Sequence, residues 1–422
     1  MKMLNGIAAL LLGFFICDFA HASEETLGAG LQDLLDYARG HNPEFAASRF
    51  ESEAAAERLQ PAGAWPDPVL RTELMGVVNR NSGGGANLLP SKVDGTRYLL
   101  MQRIPWFGKS DLQLGLAEAK AMQANVQSSA TWSDLAGMIK FAYARYYYLA
   151  GSESLARETL SLLNSMEQIA QVRYANGAGT QQDVIRAQVE QTDLHAELLE
   201  LENEQHHAHI KLNNLLSRPA TALLAKPAQS RPLPAPAQLE YSMLVDRLRS
   251  RNPQLQIVEA GVQAAEKSRD LAYRNRYPDI TLGVAPTQSG NSIKTWDLMV
   301  EFNIPFQQQS RRSEEREAEA MLAAYGARKE TILNQVMSAL SESVSGLETA
   351  RQTETLIVTR LLPQAELTYQ SALAGYETGK VDFATLLDAQ KQILKAKRQQ
   401  LKSQLEAQLR LADIERLLGE EI

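Results

Sequence analysis

The amino-acid sequence predicts a mainly α-helical fold with a small β part, laid out as two copies of one plan. A Tyr is followed three residues later by a Gly at Tyr174 and Gly177, and again at Tyr376 and Gly379. Each pair leads into a helical pattern, and the two pairs lie about 202 residues apart in the 422-residue chain. A repeat of about half the chain favours duplication of a whole supersecondary unit rather than a solenoid.

Long helical patterns occur at matching places in the two halves. Helical periodicity runs from about Ser110 to Asn176 and from about Arg311 to Thr378, where Pro363 is an expected kink. At about 1.5 Å per residue, each stretch is on the order of 100 Å long. The helices that follow, Thr180–Leu216 and Asp382–Leu418, are roughly half as long, so each is expected to return only halfway.

The repeated Tyr and Gly motif predicts a sharp reversal between two helices. Gly177 and Gly379 can adopt positive φ without a Cβ clash, which ends a helix cleanly. Thr180 and Asp382 follow, and such residues cap the next helix by accepting hydrogen bonds from its free N–H groups. One copy alone would be more typical of an ordinary helix–turn–helix in a bundle, but two copies in register favour a pair of helical tips. The tips are predicted over residues 174–180 and 376–382.

A coiled-coil seam is predicted in the helix after the first reversal. Mostly apolar residues recur there at alternating steps of four and three, the pattern of two helices packed side by side. The seam residues are Leu194, Leu198, Leu201, Gln205, Ala208, Leu212 and Leu215.

Four short strands are predicted, two in each half. In the second strand, Tyr98 and Leu100 face one way, and Arg97 and Arg103 face the other. Such mixed polarity suits a barrel wall between lipid and water, and it also suits a soluble sheet. Four strands are too few to close a membrane barrel, so oligomerisation is expected. The strands are 68–78, 96–104, 280–285 and 295–304, with loops 79–94 and 286–294, and the hairpins span 67–104 and 278–304.

The first 22 residues have the organisation of a signal peptide. Lys2 precedes an apolar run from Ile7 to Phe19, and Ala20-His21-Ala22 is a small-x-small cleavage site. The single cysteine, Cys17, lies within this segment, and acylation of Cys17 in a lipoprotein is the alternative. No later segment has about 18 uninterrupted apolar residues, as a transmembrane helix would need.

The rest of the chain divides at a proline-rich stretch. Residues 23–216 form the first predicted repeat, 217–238 a connector with extended backbone, and 239–422 the second repeat. A flexible interdomain linker is the alternative for the connector.

Composition argues against two classes of protein. The net charge is −7, which gives no electrostatic support to a nucleic-acid partner. No P-loop, glycine-rich dinucleotide turn or HExxH motif occurs, and no cysteine outside the leader could be a nucleophile. We therefore expect no enzyme and no cofactor.

Three histidines lie close together on the first return helix. His206 and His209 share a helical face, His207 lies beside them, and histidine is a common ligand of zinc and copper. An exposed polar face is the alternative, and no metal site is predicted.

Besides the two reversals, three short motifs occur in both halves: Asn42-Pro43 and Asn252-Pro253, Pro66-Asp67 and Pro278-Asp279, and Ile104-Pro105 and Ile304-Pro305. On these motifs the chain resembles the TolC-like outer-membrane efflux family over essentially the whole sequence after the leader. The resemblance implies a homotrimer in which twelve strands form one outer-membrane β-barrel and twelve helices form a coiled-coil tunnel in the periplasm. It also implies partners: outer-membrane lipid, a periplasmic membrane-fusion adaptor and an inner-membrane pump.

A finer resemblance concerns the residues 104–109, Ile-Pro-Trp-Phe-Gly-Lys, which look like those of the branch that serves heavy-metal and cation efflux pumps. In the second reversal, Tyr376 and Asp388 match gate residues of the family. Thr385 stands where relatives often carry another Asp, and Val381 where a basic residue can occur. The residues expected at the constriction or the adaptor contact are Tyr174, Gly177, Asp183, Tyr376, Gly379, Thr385 and Asp388.

The function implied by the resemblance is passive conduction of material that a pump exports. Three Asp388 carboxylates near a symmetry axis would favour cations over anions, although Asp388 could also be a solvated helix residue. A channel for type I protein secretion and a periplasmic coiled-coil adaptor are the alternatives. The cargo is expected to be metal cations or small toxic compounds.

Overall fold

The computed structural model describes residues 27–77, 88–90 and 93–422. The predicted signal peptide and most of the loop 79–94 lie outside the described residues. The helices are α1 Leu31–His41, α2 Pro43–Glu57, α3 Leu59–Gly63, α4 Lys109–Ala175, α5 Gln181–Leu215, α6 Tyr241–Arg251, α7 Pro253–Arg274, α8 Gln308–Leu356, α9 Leu362–Glu377 and α10 Phe383–Leu418. The strands are β1 Val69–Met75, β2 Gly95–Ile104, β3 Ile280–Ser289 and β4 Ser292–Phe302.

The four strands form one antiparallel sheet in the order β1-β2-β3-β4. The central pair β2 and β3 joins the two halves of the chain, with Ile104 opposite Ile280 and Leu100 opposite Val284. Within the described part of this single chain, β1 and β4 are edge strands. Backbone groups on an edge strand lack ladder partners, so both edges are available to another chain.

The second hairpin corrects the predicted loop 286–294. The strands continue to Ser289 and Ser292, and Gly290 takes φ +63° in the short turn between them. Pro286, which suggested a break, lies within β3 opposite Trp296, where pairing between β2 and β3 is interrupted. Proline is tolerated there because its missing N–H removes no ladder hydrogen bond.

The long helix of the second half is interrupted in the turn before the expected kink at Pro363. A π-helical turn, Ile357–Leu361, separates α8 from α9, and Pro363 lies in the first turn of α9. A proline has no N–H to donate and its ring crowds the carbonyl four residues earlier, so the preceding turn widens.

The long helices α4, α5 and α8 to α10, called the rods below, pack together, and their buried residues form separate clusters along their length. One cluster includes Leu34, Ile139 and Leu212 where α1, α4 and α5 meet. A second joins α4, α5, α9 and α10 toward the reversals, and a third joins α6, α8 and α10. The predicted seam of α5 is confirmed, since Leu194, Leu198, Ala208 and Leu212 are buried. No helix of the described residues is both long and apolar enough to cross a membrane.

Two asparagines make matching contacts in the two halves. The Asn42 side chain caps α2, accepting from the Phe45 N–H, and donates to the Leu215 carbonyl at 3.0 Å. The Asn252 side chain caps α7 in the same way and donates to the Leu417 carbonyl at 2.7 Å. In each half, a starting helix is therefore tied to the end of a return helix.

The proline-rich connector lies against the segment that precedes α1 and against α4. Its backbone N–H groups at Ala225 and Ala228 donate to the carbonyls of Leu27 and Ala29. The Tyr143 hydroxyl also donates to the Gln229 carbonyl at 3.1 Å. These contacts hold the connector along the middle of the rods.

Candidate functional site

The helical rods reverse at two tips, where α4 meets α5 and where α9 meets α10. Gly177 has φ +72° and Gly379 has φ +75°, so both take the left-handed conformation that the sequence predicted. The Thr180 hydroxyl accepts from the Asp183 N–H at 3.3 Å. The Asp382 carboxylate accepts from the Thr385 N–H at 2.9 Å. At each tip the chain therefore reverses through a glycine turn that is followed by a capped helix.

Two residues predicted for the constriction take part in these caps. The Thr180 N–H donates to the Asp183 carboxylate at 3.3 Å, which completes a capping box. The Thr385 hydroxyl donates to the Asp382 carboxylate at 2.6 Å. This hydrogen bond and that from the Thr385 N–H lower the pKa of Asp382.

The two repeated tyrosines have different surroundings. Tyr174 is 49% exposed, whereas Tyr376 is 3% exposed and packs edge-on against Phe383 with ring centroids 5.6 Å apart. The Tyr376 hydroxyl is buried and has no hydrogen-bond partner among the described residues. Tyr376 is therefore part of the packed interior of its tip.

Arg173, which the sequence analysis did not single out, joins the two tips. Its guanidinium lies 4.6 Å from the centre of the Tyr376 ring. One terminal nitrogen donates to the Tyr376 carbonyl at 2.7 Å and to the Glu377 carbonyl at 3.1 Å. The other donates to the Ala178 carbonyl at 3.1 Å. A cation at the C-terminus of α9 is also favoured by the helix dipole.

The first tip has a polar network of its own. Gln188 and Gln191 on α5 both donate to the Glu167 carboxylate on α4 at 2.8 Å, and Gln171 donates to it at 2.9 Å. These hydrogen bonds, that from Gln188 most of all, lower the pKa of Glu167. The ionised carboxylate therefore joins the two helices of the first tip.

Asp388 lies on an exposed groove between α5 and α10. Arg186 lines the same groove, and the Glu190–Lys391 ion pair crosses it. Seven residues further along both helices, the Glu197–Arg398 ion pair makes a second crossing. The structure thus brings Asp388 together with charges of both signs, not with the buried Tyr376.

The histidines do not form a closed cluster. His206 and His207 are exposed, with ring centroids 6.4 Å apart. His209 is half-buried near Tyr146, and burial lowers its pKa. Across the described ranges, no three His, Cys, Asp or Glu side chains are arranged to hold a metal ion.

Two buried carboxylates hold the connector to the helices. Glu153 accepts from Gln205 and Arg157 at 2.8 Å and from Lys226 of the connector at 3.2 Å. The Gln205 hydrogen bond leads the contacts that lower the pKa of Glu153 to about 2. Burial alone would raise the pKa of Glu415, but hydrogen bonds from Arg231 and attraction to Lys140 lower it.

Comparison with known proteins assigns this architecture to a family. A family described as outer membrane efflux protein matches residues 34–218 and 244–420. The chain is also 23% identical over 417 residues to the cobalt-zinc-cadmium resistance protein CzcC of Cupriavidus metallidurans, covering 92% of this chain and 90% of that protein.

Solved structures share the fold. The outer membrane protein VceC of Vibrio cholerae superimposes with a TM-score of 0.78 at 18% identity, covering 93% of this chain and 96% of that one. The channel protein CusC gives a TM-score of 0.78 at 17% identity, covering 92% of each chain. The mainly helical fold with a small antiparallel sheet is thus the fold of TolC-like channels. The chain belongs to the outer membrane efflux protein family and lies in the outer membrane, extending into the periplasm.

Proposed function

We propose that the chain is one third of a trimeric channel that passively conducts material delivered by an inner-membrane pump through a periplasmic adaptor. Energy comes from the pump, and this chain supplies the conduit and its constriction. Each half, 23–216 and 239–422, contributes one hairpin to a twelve-stranded barrel and one set of rods to the tunnel. The connector 217–238 surrounds the middle of that tunnel.

The observation that carries the proposal is the apolar outer face of the open sheet. Leu70, Leu100, Val284 and Leu298 lie opposite one another in one row across all four strands, and all are exposed. Leu298 is 86% exposed. Exposed apolar rows of this kind suit contact with lipid.

The opposite face has a different character. Arg97 and Asp297 form an ion pair at 3.6 Å, beside the buried residues Leu99, Met101 and Ala285. A polar interior behind an apolar exterior is typical of outer-membrane barrels. The two faces therefore support a barrel wall between lipid and an aqueous lumen.

Exposed apolar residues at the first tip support an adaptor contact. Val172 and Tyr174 are both exposed in the last turn of α4. Exposed apolar side chains at the end of a rod suit a protein partner. We assign the adaptor contact to the first tip and the constriction to the second, where Tyr376 is packed.

The relative CzcC, named for resistance to cobalt, zinc and cadmium, supports metal cations as the cargo. Asp388 would contribute three carboxylates, one per copy, to a cation-favouring constriction.

A deletion strain tests the function. Loss of the gene should increase sensitivity to cobalt, zinc and cadmium, and the wild-type gene should restore growth. The protein should require detergent for extraction and migrate as a trimer in unheated SDS. Sensitivity to dyes or antibiotics alone would overturn the metal cargo, and a water-soluble monomer would overturn the channel.

Variants of the turns test the coupling to the pump. Gly177→Pro or Gly379→Pro should impair resistance without abolishing the trimer, because each distorts only a tip. Normal resistance in both variants would contradict the assignment of the tips.

A further inference from the structure

Where the strands meet the rods, a buried carboxylate and two cations of the same chain form an ionic cluster, called the clamp below. The Asp279 carboxylate, just before β3, accepts from Arg103 at 2.6 Å, from Lys109 at 2.8 Å and from the Trp106 N–H at 3.0 Å. The Tyr277 ring stacks on Trp106 with centroids 5.2 Å apart and planes 7° apart. The clamp joins the start of the second hairpin to the end of the first.

Residues that match those of the clamp also occur at the two open edges of the sheet, where the aromatic ones are exposed. Trp65 and Asp67 precede β1 as Tyr277 and Asp279 precede β3, and Phe306 follows β4 in the same Ile-Pro-aromatic motif as Trp106. Trp65 is 59% exposed and Phe306 is 84% exposed. Large aromatic side chains with so much exposed surface favour a contact that one chain cannot provide.

We propose that Trp65 of one copy stacks on Phe306 of a second copy of this chain, repeating the Tyr277–Trp106 stack between subunits. The proposal rests on the proposed trimer and assigns the residues of its subunit junction. The occupant is a second copy because β1 and β4 are the edges of one sheet, so edge pairing brings these two aromatics together.

The internal sheet also sets the register between copies. Gln102 of β2 lies opposite Leu282 of β3. Aligning Ile304 with Ile104 places Phe302 of β4 at the position of Gln102, and aligning Asp67 with Asp279 places Leu70 of β1 at the position of Leu282. Phe302 is therefore placed opposite Leu70 of the second copy. Both are exposed, and both lie on the apolar outer face, so this register keeps the face continuous around the barrel.

The two kinds of junction differ in charge. Asn303 and Gln309 stand where the internal clamp has Arg103 and Lys109. Asp67 would then receive neutral amide donors rather than two cations. Charge-assisted hydrogen bonds are the stronger kind. The junction between copies is thus the weaker one, held mainly by aromatic stacking and strand pairing.

Cysteine cross-linking tests the register. The Cα atoms of opposite residues on neighbouring antiparallel strands lie about 4.5–5.5 Å apart, within the Cα separations that a disulfide spans. Leu70→Cys combined with Phe302→Cys, in cells treated with a mild oxidant, should shift the protein from monomer to covalent trimer on heated, non-reducing gels. Leu70→Cys with Leu298→Cys is the control, because four residues of strand displace the second thiol by about 13 Å.

Each outcome has one meaning. Cross-linking of the control pair instead of the matched pair would overturn the register. Absence of cross-linking in a matched variant that still confers resistance and forms unheated trimers would overturn the junction and leave the channel intact. If the wild-type protein neither restores resistance nor forms a trimer, the proposed function itself fails.

A second measurement covers variants that assemble poorly. Trp65→Ala and Phe306→Ala should each lower the temperature at which the unheated trimer dissociates, and the double variant should lower it no further than the larger single effect. Phe50→Ala, at an exposed aromatic on α2 away from the junction, is the control and should leave that temperature unchanged. Additive losses in the double variant would contradict direct contact between Trp65 and Phe306.

Discussion

The two tips share one turn but differ in what lies behind it. At the first tip, Tyr174 faces solvent and a polar network around Glu167 joins the helices. At the second, Tyr376 is buried against Phe383 and Arg173 covers its ring. The same motif therefore produces an exposed tip and a packed tip. Arg173 adds to the difference, because it belongs to the first tip but places its guanidinium over the Tyr376 ring of the second.

The largest expected effect separates the two tyrosines. Tyr376→Ala removes a buried aromatic side chain and should destabilise the second tip by about 3–5 kcal/mol. Tyr174→Ala, its matched control, should change stability by less than about 0.5 kcal/mol, because the side chain is exposed. Hydrogen exchange of the amides in α9 and α10 measures the first effect, and that of the amides in α4 and α5 measures the second. Equal protection in the two variants would show that the second tip is not held by packing.

Arg173→Ala should have the next largest effect. It removes the cation over the Tyr376 ring and the donors to the Tyr376 and Glu377 carbonyls, at a cost of about 1–3 kcal/mol. Because these contacts hold one tip against the other, the variant should conduct more than the wild type in planar bilayers. Arg249→Ala is the control, since Arg249 is exposed on α6, outside both tips. Unchanged conductance of Arg173→Ala would show that opening does not require separation of the tips.

The glycines should be alike. Gly177→Ala and Gly379→Ala both place a Cβ at positive φ, at a cost of about 1–2 kcal/mol each. Among the described residues, an added Cβ at Gly177 meets no atom within 4 Å, and one at Gly379 meets only Arg173 at 3.8 Å. Similar losses of thermal stability in the two variants would show that the tips differ in the packing of their side chains and not in their turns. A much larger loss for Gly379→Ala would show that the turns themselves differ.

How much of this the sequence predicts depends on the range of the interaction. The expected helix 110–176 differs from the observed Lys109–Ala175 by one residue at each end, because glycine turns and side-chain caps act locally. Local signals made the loop of the second hairpin too long, since a proline such as Pro286 breaks a strand only where the ladder needs a backbone N–H. The role of Arg173 depends on contacts about 203 residues away, which helical periodicity cannot show.

The same limit applies to the tyrosines. A Tyr followed three residues later by a Gly predicts the turn at both tips, and both turns are observed. Burial of Tyr376 but not of Tyr174 depends on which helices pack against each ring, and the motif contains no information about that. A basic residue next to the tyrosine in the last turn of α4 was the one available signal for Arg173.

The smallest expected effect on stability concerns the charges of the groove. Arg186 precedes Asp388 by the same spacing that relates the two tyrosines, so the repeat places opposite charges at matching positions. Both side chains are exposed and line one groove. Asp388→Asn and Arg186→Gln should each change stability by less than about 0.5 kcal/mol.

Their effect on ion selectivity should be opposite in sign. If the groove faces the lumen, Asp388→Asn removes one negative charge from each copy in the proposed trimer and lowers the ratio of cation to anion permeability, whereas Arg186→Gln raises it. Reversal potentials in a salt gradient across a planar bilayer measure that ratio. Permeability ratios equal to that of the wild type in both variants would place the groove on the outer wall of the tunnel. Asp388 would then belong to a surface that an adaptor can reach, and the constriction would depend on the packed tip around Tyr376 alone.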